Sequence, residues 1–227
     1  MCAQFIIKAN IEKAIRRAGL AKFPEGFQDM FDLLVVPYQV PAPVIIKDTV
    51  RMMNFSLVPH WSKERKVKFA THNARLYSED KKTLIYDKAT WREPFKKRHC
   101  VVPMTQFIEP IYTGEFAGNM VKFGDSKAGP ILAAGLWDQW IDKATGEVMD
   151  TFTIITNDPP KFVLDVGHDR CPVFLKAEAI PLWLDADQQK PEDWVSYLVE
   201  NTQGIEFDVA VHRPMAAGWQ KRIPKLP

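Results

Sequence analysis

The second residue of the chain is Cys2, directly after Met1. A small second residue permits removal of the initiator methionine, and the chain then begins with cysteine. Such a residue carries a free α-amine, with a reference pKa of about 7.7–8.0, beside a thiol near 8.5. That 1,2-aminothiol condenses with an aldehyde to an imine, and its thiol then closes a thiazolidine ring. No interior cysteine can do this. The same residue suits amide hydrolysis with the amine as its own base. A frayed terminus that happens to carry a cysteine is the plain alternative.

Three further stretches carry groups that can assist. His72-Asn73-Ala74-Arg75 supplies an amide able to orient a reacting group and a guanidinium able to fork two bonds onto a phosphate. A turn asparagine and a surface arginine would look the same. Glu109 stands inside the apolar run Gln106–Ile111, and alternation puts it on the face of Phe107. If that face is buried, the carboxyl is desolvated and holds a proton near neutral pH. If the strand ends at Pro110, Glu109 is a surface residue. His168-Asp169-Arg170-Cys171-Pro172 puts an imidazole in a loop before an apolar strand, a setting for catalysis or for simple capping.

Nucleic-acid contact has its own candidates. Pro59-His60-Trp61 runs into Lys63, Arg65, Lys66 and Lys68, and Lys96-Lys97-Arg98 forms a second cluster. An aromatic platform beside cations suits a single strand, because every base has a face to stack. A solvated charged loop next to a packed tryptophan fits equally. The five histidines (60, 72, 99, 168 and 212) lack metal-ligand spacing, so neither a metal nor a cofactor is expected.

The elements that must position these groups are short. In 227 residues, 17 prolines exceed the usual ~5% and 11 glycines fall below the usual ~7%, which favours strands and loops over long helices. Strands are expected over Leu33–Val36, Val44–Lys47, Cys100–Pro103, Gln106–Ile111, Ile131–Leu136, Thr151–Thr156 and Phe207–His212. The stretch Gly114–Gly124 resembles a hairpin connection. Helices are expected from Asn10 to Gly19, after an Asp158 cap at Pro159-Pro160, and over Ala177–Leu184 and Pro191–Glu200. No linker divides the chain, so residues 1–227 read as one mixed domain.

Composition removes other classes. An apolar share of 46% and a charged share of 26% are those of a globular chain, not a disordered one. A net charge of +2 means that any polyanion surface must come from local placement of charge. No apolar run approaches membrane length, and the opening MCAQFIIKAN shows no signal peptide. A cytoplasmic protein with free thiols is expected, with Cys100 and Cys171 as inert core residues.

Taken in order, these stretches resemble the SRAP family, the SOS response-associated peptidases that crosslink to abasic sites in DNA. Met1-Cys2 matches the family's start, and Phe55–Trp61 is similar to its Trp-Gly-Leu-Ile-Pro-His-Trp segment. Asn73-Ala74-Arg75 matches Asn-Ala-Arg, and Cys100–Pro103 with Phe107–Glu109 resembles Cys-Leu-Val-Pro…Phe-Tyr-Glu. Thr156-Asn157 with His168–Val173 follows Thr…Asn…His-x-Arg-Met-Pro-Val. The departures are Ala3 and Gln4 for Gly and Arg, Gln39 for an Asn, Tyr77 for a Glu, Pro110 for a Trp, and an unrecognisable C-terminal motif. The chain reads as a divergent member from a bacterial or phage-related setting.

The resemblance implies an α+β fold of curved, mostly antiparallel strands, barrel-like, with peripheral helices and a DNA-binding cleft. It implies Cys2 as nucleophile after the protein removes its own Met1, Glu109 and His168 as proton-transfer groups, and Asn73 as the residue orienting the amine or sugar. Arg75, Trp61, His60, Gln4 and Arg170 would bind DNA. The implied partner is single-stranded DNA with abasic sites; no protein partner, membrane, metal or cofactor is implied. Two rival classes stay open: an N-terminal-cysteine amidase acting on external substrates, and a single-strand-binding module without chemistry.

Overall fold

The computed structural model describes residues 2–8, 33–47, 49–124 and 131–222. The helix expected from Asn10 to Gly19 lies outside them.

Two sheets carry the architecture. The first joins β1 (Gln4–Ile7), β2 (Leu33–Val35), β7 (Gln106–Ile111), β8 (Asn119–Gly124) and β12 (Asp208–Pro214) in the order β12-β8-β7-β1-β2. The second contains β3 (Pro41–Ile46), β4 (Thr49–Phe55), β6 (His99–Met104), β9 (Ile131–Ile141), β10 (Val148–Asn157) and the two-residue β11 (Cys171–Pro172), while β5 (Asn73–Arg75) pairs with β10. Because β10 bonds to β4 on one side and to β9 on the other, the strands β10-β4-β3-β6-β9 close on themselves as a barrel. Every pairing in that ring except β10 with β4 is antiparallel. Closure removes unpaired edges. This is the curved, mostly antiparallel α+β arrangement expected.

The strand β10 is long enough to serve two purposes. Its first half sits in the barrel, with Thr151 opposite Asn54 and Asp138. Its second half leaves the barrel and takes β5 on one side, Ile154 to Thr156 against Asn73 to Arg75, and β11 at Thr156 and Asn157. That half has TIIT composition, β-branched throughout, and remains buried from Ile154 to Thr156. It is the rail on which the Asn73 and His168 segments are mounted.

The core runs through both sheets. Phe5 of β1 packs edge-on to Phe55 at 5.3 Å, and Phe55 stacks on Phe152 at 5.2 Å. Burying an aromatic side chain contributes roughly 1.5–3 kcal/mol, so Phe5 fastens the N-terminal strand to the barrel wall. Four helices are seen among the described residues: α1 (Ala89–Lys97), α2 (Lys161–Val166), α3 (Ile180–Leu184) and α4 (Pro191–Glu200). All lie outside the barrel, and none is long and apolar enough to cross a membrane.

Several local expectations need correction. Asp158 does not cap α2, whose first turn follows Pro160 without a side-chain hydrogen bond; its carboxylate pairs with Arg75 and Lys81 instead. Only the first part of Gly114–Gly124 is a connection, since Asn119–Gly124 is paired along its length with β7 and β12. The strand expected to stop at Leu136 continues to Ile141, because the polar Asp138 is buried and bonded instead of ending the run.

Candidate active site

The β1–β7 register fixes the first contact. Gln4 faces Ile108 and Phe5 faces Phe107, and the Ala3 N–H donates to the Ile108 carbonyl at 3.2 Å. Cys2 and Ala3 therefore run alongside Glu109. The mid-strand reading of Glu109 holds: the residue is 0% exposed, as is Cys2.

Asn73 holds Cys2 from the other side. The Cys2 N–H donates to Asn73 Oδ1 at 3.0 Å, and Asn73 Nδ2 donates to the Cys2 carbonyl at 3.1 Å. The two bonds clamp the backbone on both sides of the Cα, and the Cys2 thiol donates to the Gln4 carbonyl at 3.5 Å. From Cys2 onward the described chain is held in place, not frayed. A three-residue parallel strand supplies the clamp, which is why β5 exists at all: only pairing with β10 makes Asn73-Ala74-Arg75 a strand.

His168 arrives from β10 by way of α2. Gly167 ends that helix with φ 106°, and its N–H and that of His168 bond back to Leu164 and Val163. A Cβ at this glycine would lie 2.5 Å from the Thr113 carbonyl oxygen, so the chain can turn here only without a side chain. The turn brings His168 Nε2 to 3.5 Å from Glu109 Oε2, while Nδ1 lies 2.8 Å from the Arg170 carbonyl. Nδ1 also lies 3.2 Å from the Arg170 N–H, which donates to it when the ring proton is on Nε2; Nε2 faces the carboxyl in either form.

Burial sets the charges. It pushes the Glu109 carboxyl up to about 7, offset in part by the positive charge of the terminal amine and less by the Ala3 N–H, with a small further rise from Asp169. Burial also pulls His168 down to about 3. The Cys2 thiol is raised well above its ordinary range by burial and by Glu109. Near neutral pH the site therefore holds a neutral imidazole, a protonated thiol and a carboxyl that can give or take a proton. A thiolate–imidazolium pair, the usual form of a cysteine peptidase nucleophile, is disfavoured at both members.

The arginines sit at the rim. Arg75 pairs with Glu79 at 3.1 Å and Asp158 at 3.6 Å, and Arg170 pairs with Glu79 at 3.4 Å and Asp169 at 3.5 Å. The three carboxylates are more than half exposed and the guanidiniums mostly covered. Exposed pairs of this kind are worth about 0–1 kcal/mol, so a phosphate can replace the carboxylates at little cost. Two buried side-chain oxygens nearby, Gln4 Oε1 and Thr156 Oγ1, make no hydrogen bond. Asn157, Asp158 and Cys171 also line one end of a groove of about 560 Å³, whose other wall is Thr202 to Phe207.

His60 and Trp61 are anchored elsewhere. The His60 N–H and Nδ1 both contact Asp138 Oδ2, at 2.9 and 3.0 Å, and Arg98 closes on Oδ1 at 2.6 Å. Asp138 is wholly buried and ties the turn to β9. Trp61 is 50% exposed, a flat apolar face open to solvent. Sequence reasoning missed Asp138 because a lone Asp in an apolar strand gives no sign of its partners. The reading of Cys171 as a core thiol holds: it is buried, and burial, with the charge of Glu109 nearby, pushes its thiol well above the ordinary range.

Comparison with known proteins adds the following. The family described as SOS response associated peptidase (SRAP) matches residues 1–213. The abasic site processing protein YoaM of Bacillus subtilis (strain 168) is 26% identical over 204 residues, covering 88% of this chain and 86% of its own length. The abasic site processing protein HMCES of Pongo abelii is 29% identical over 186 residues, 68% of this chain but 50% of its own length. Among solved structures, a protein from Bacteroides thetaiotaomicron superposes with a TM-score of 0.73 at 28% identity, covering 93% of this chain and 92% of its own.

Proposed function

Taking as premise that this chain belongs to the SOS response-associated peptidase family, we propose that it processes abasic sites in DNA by covalent capture through Cys2. The observation that carries the reading is the Cys2 backbone nitrogen, bonded to Asn73 at 3.0 Å beside the Glu109–His168 pair. After Met1 is removed, that nitrogen is a primary amine. It attacks the C1′ aldehyde of the ring-opened deoxyribose; water leaves and an imine forms. The Cys2 thiol then adds across the C=N bond, sulfur to carbon and proton to nitrogen, which closes the thiazolidine. The net loss is one water.

Each neighbour has a share in the proton traffic. Glu109, with its carboxyl raised to about 7, gives a proton to the ring oxygen and takes one from the C1′ hydroxyl as the ring opens, gives one to the departing hydroxyl and takes one from nitrogen as the imine forms. It then relays the thiol proton to nitrogen as the thiazolidine closes. His168, neutral at physiological pH, accepts from Glu109 and relays to the sugar, a role that also serves reversal of the adduct. Asn73 orients the amine lone pair. Arg75 and Arg170 exchange their carboxylate partners for backbone phosphates of a single strand, Gln4 donates a weaker uncharged bond, and the His60–Trp61 turn offers a stacking face.

The electrostatics speak against an amidase acting on external peptides, since that chemistry wants a thiolate and burial here opposes one. The test is intact mass after incubation with an oligonucleotide carrying one abasic site. The expected product is one protein lacking Met1 plus one strand minus one water. Acylating the α-amine should abolish it as fully as Cys2→Ala, whereas Cys100→Ala and Cys171→Ala should retain it. A heat-stable adduct with amine-blocked protein would replace this mechanism by an ordinary thiol one.

A further inference from the structure

A second pocket, of about 220 Å³, opens where the turn before β3 meets the start of the His60–Trp61 loop, and two non-glycine residues with left-handed backbone line it. Ser56 has φ 98° and Tyr38 has φ 63°, both in the left-handed region that non-glycine residues avoid. They are locked to each other, since the Tyr38 N–H donates to the carbonyl of Phe55, the residue before Ser56. Ser56 is 1% exposed, lines the pocket, and its hydroxyl makes no hydrogen bond. Glycine would adopt this φ without strain. The serine thus adds both a strained conformation and a buried polar group without a partner, each of which costs stability.

The rest of the lining says what would satisfy that hydroxyl. Val58 and Met149 give the pocket an apolar floor, Asn54 adds an amide, and Arg65 and Lys66 stand at its mouth. Lys66 lies 5.1 Å from the centre of the Tyr38 ring, and Arg65 has a single exposed partner, Glu147, at 3.5 Å. A flat apolar body with hydrogen-bonding edges and an attached anion is the chemistry of a nucleotide. The volume falls below the range of about 300–1,000 Å³ typical of drug-sized ligands, which suits one base and not two. On β10, Asn54 is opposite Thr151 and Asn73 opposite Ile154. That is three residues, or ~10 Å along a strand, about three stacked nucleotide steps of ~3.4 Å each.

We propose that this pocket seats one base of the bound single strand, Ser56 and Asn54 reading its edge and Arg65 and Lys66 holding its phosphate. The proposal rests on the capture reading above for the presence of a strand, but not on the chemistry at Cys2. Its test is non-covalent binding of an undamaged single-stranded oligonucleotide and of free deoxynucleoside 5′-monophosphates to the full chain and to Ser56→Gly, Ser56→Ala and Lys66→Gln.

Both serine variants should bind the oligonucleotide about 3- to 10-fold more weakly, the value of one hydrogen bond. Ser56→Gly should melt no lower than the parent, which separates a lost contact from a damaged fold. Lys66→Gln should reduce the slope of log K against log[salt] by about 0.7. Unchanged oligonucleotide affinity in both serine variants would overturn the proposal. So would a loss confined to the free mononucleotides, which would make this a site for a soluble nucleotide. Failure of the parent to crosslink would sink the capture reading while leaving these affinities interpretable.

Discussion

Replacing Glu109 by Gln should slow the protein and stabilise it at once. A carboxyl whose pKa rises from 4.5 in the unfolded chain to about 7 in the fold binds its proton more tightly when folded. Stability is therefore highest below the unfolded pKa and falls as pH rises through the folded one. Linkage puts the cost at about 1 kcal/mol at pH 5 and about 3 kcal/mol at pH 8. Gln has the same shape and no charge, and its amide can still accept from the Ala3 N–H and donate to His168 Nε2. The variant should therefore exceed the parent by about 3 kcal/mol at pH 8 and by much less at pH 5, measured by urea unfolding at both values. Adduct formation should meanwhile slow by roughly 10²–10⁴-fold, the usual contribution of a positioned acid–base group. A stability difference that does not change with pH would mean that Glu109 is not desolvated as described. Crosslinking at the parental rate would remove it from the chemistry.

Three further outcomes follow from other contacts. Gln4→Arg should steepen the dependence of log K on log[salt] for a single strand by about 0.7, and Arg75→Ala should flatten it by a similar amount; unchanged slopes in both would mean that neither side chain meets the backbone. Gly167→Ala should destabilise the fold by at least 1 kcal/mol, because its φ is 106° and a Cβ would press on Thr113, and adduct formation should fall with it as His168 is displaced; full activity would separate His168 from catalysis. Asp138→Ala leaves the His60 N–H and Arg98 without their partner, and should cost about 1–3 kcal/mol in thermal or denaturant unfolding; a near-neutral result would show that the turn holds itself.

What could be read in advance depended on whether a residue's neighbours are local. Gln106–Ile111 and Pro191–Glu200 were legible to the residue because alternation in one and an N1 proline with an amphipathic face in the other are local signals. The strand Thr49–Phe55 was not, since TVRMMNF contains a mid-strand Arg and Asn that only the barrel wall explains. The strand at Asn73 was invisible for a stronger reason: a three-residue parallel strand has no pattern of its own and exists only where β10 offers an edge. The same applies to the site. Cys2 announced itself by position, and Glu109 by charge in an apolar run. The clamp of Asn73 on Cys2 spans 71 positions, and the closing of Asp138 on both His60 and Arg98 spans 78 and 40. No sequence spacing encodes either.

The way the fold treats its own terminus bears on which nucleophile acts first in the proposed reaction. N-terminal residues ordinarily fray; here β1 is bonded on both sides, and Phe5 is packed on Phe55 and Phe152. That expense in order is unnecessary for a thiol nucleophile, which any buried loop can present. It is needed when a backbone nitrogen must be aimed, because a terminal amine has no side chain to fix its direction. Asn73 fixes it through the two bonds to Cys2. Burial then keeps the thiol protonated and in reserve, while an amine of ordinary basicity is already partly neutral at pH 7–8. In the proposed reaction the amine therefore acts first and the thiol second. Asn73→Asp tests it, since a carboxylate would hold the amine as an ammonium ion and raise its pKa. The pH at which capture reaches half its maximum rate should move upward in that variant, with the maximum rate itself largely retained at high pH. A lower plateau with an unmoved midpoint would show instead that Asn73 acts on the sugar and not on the amine.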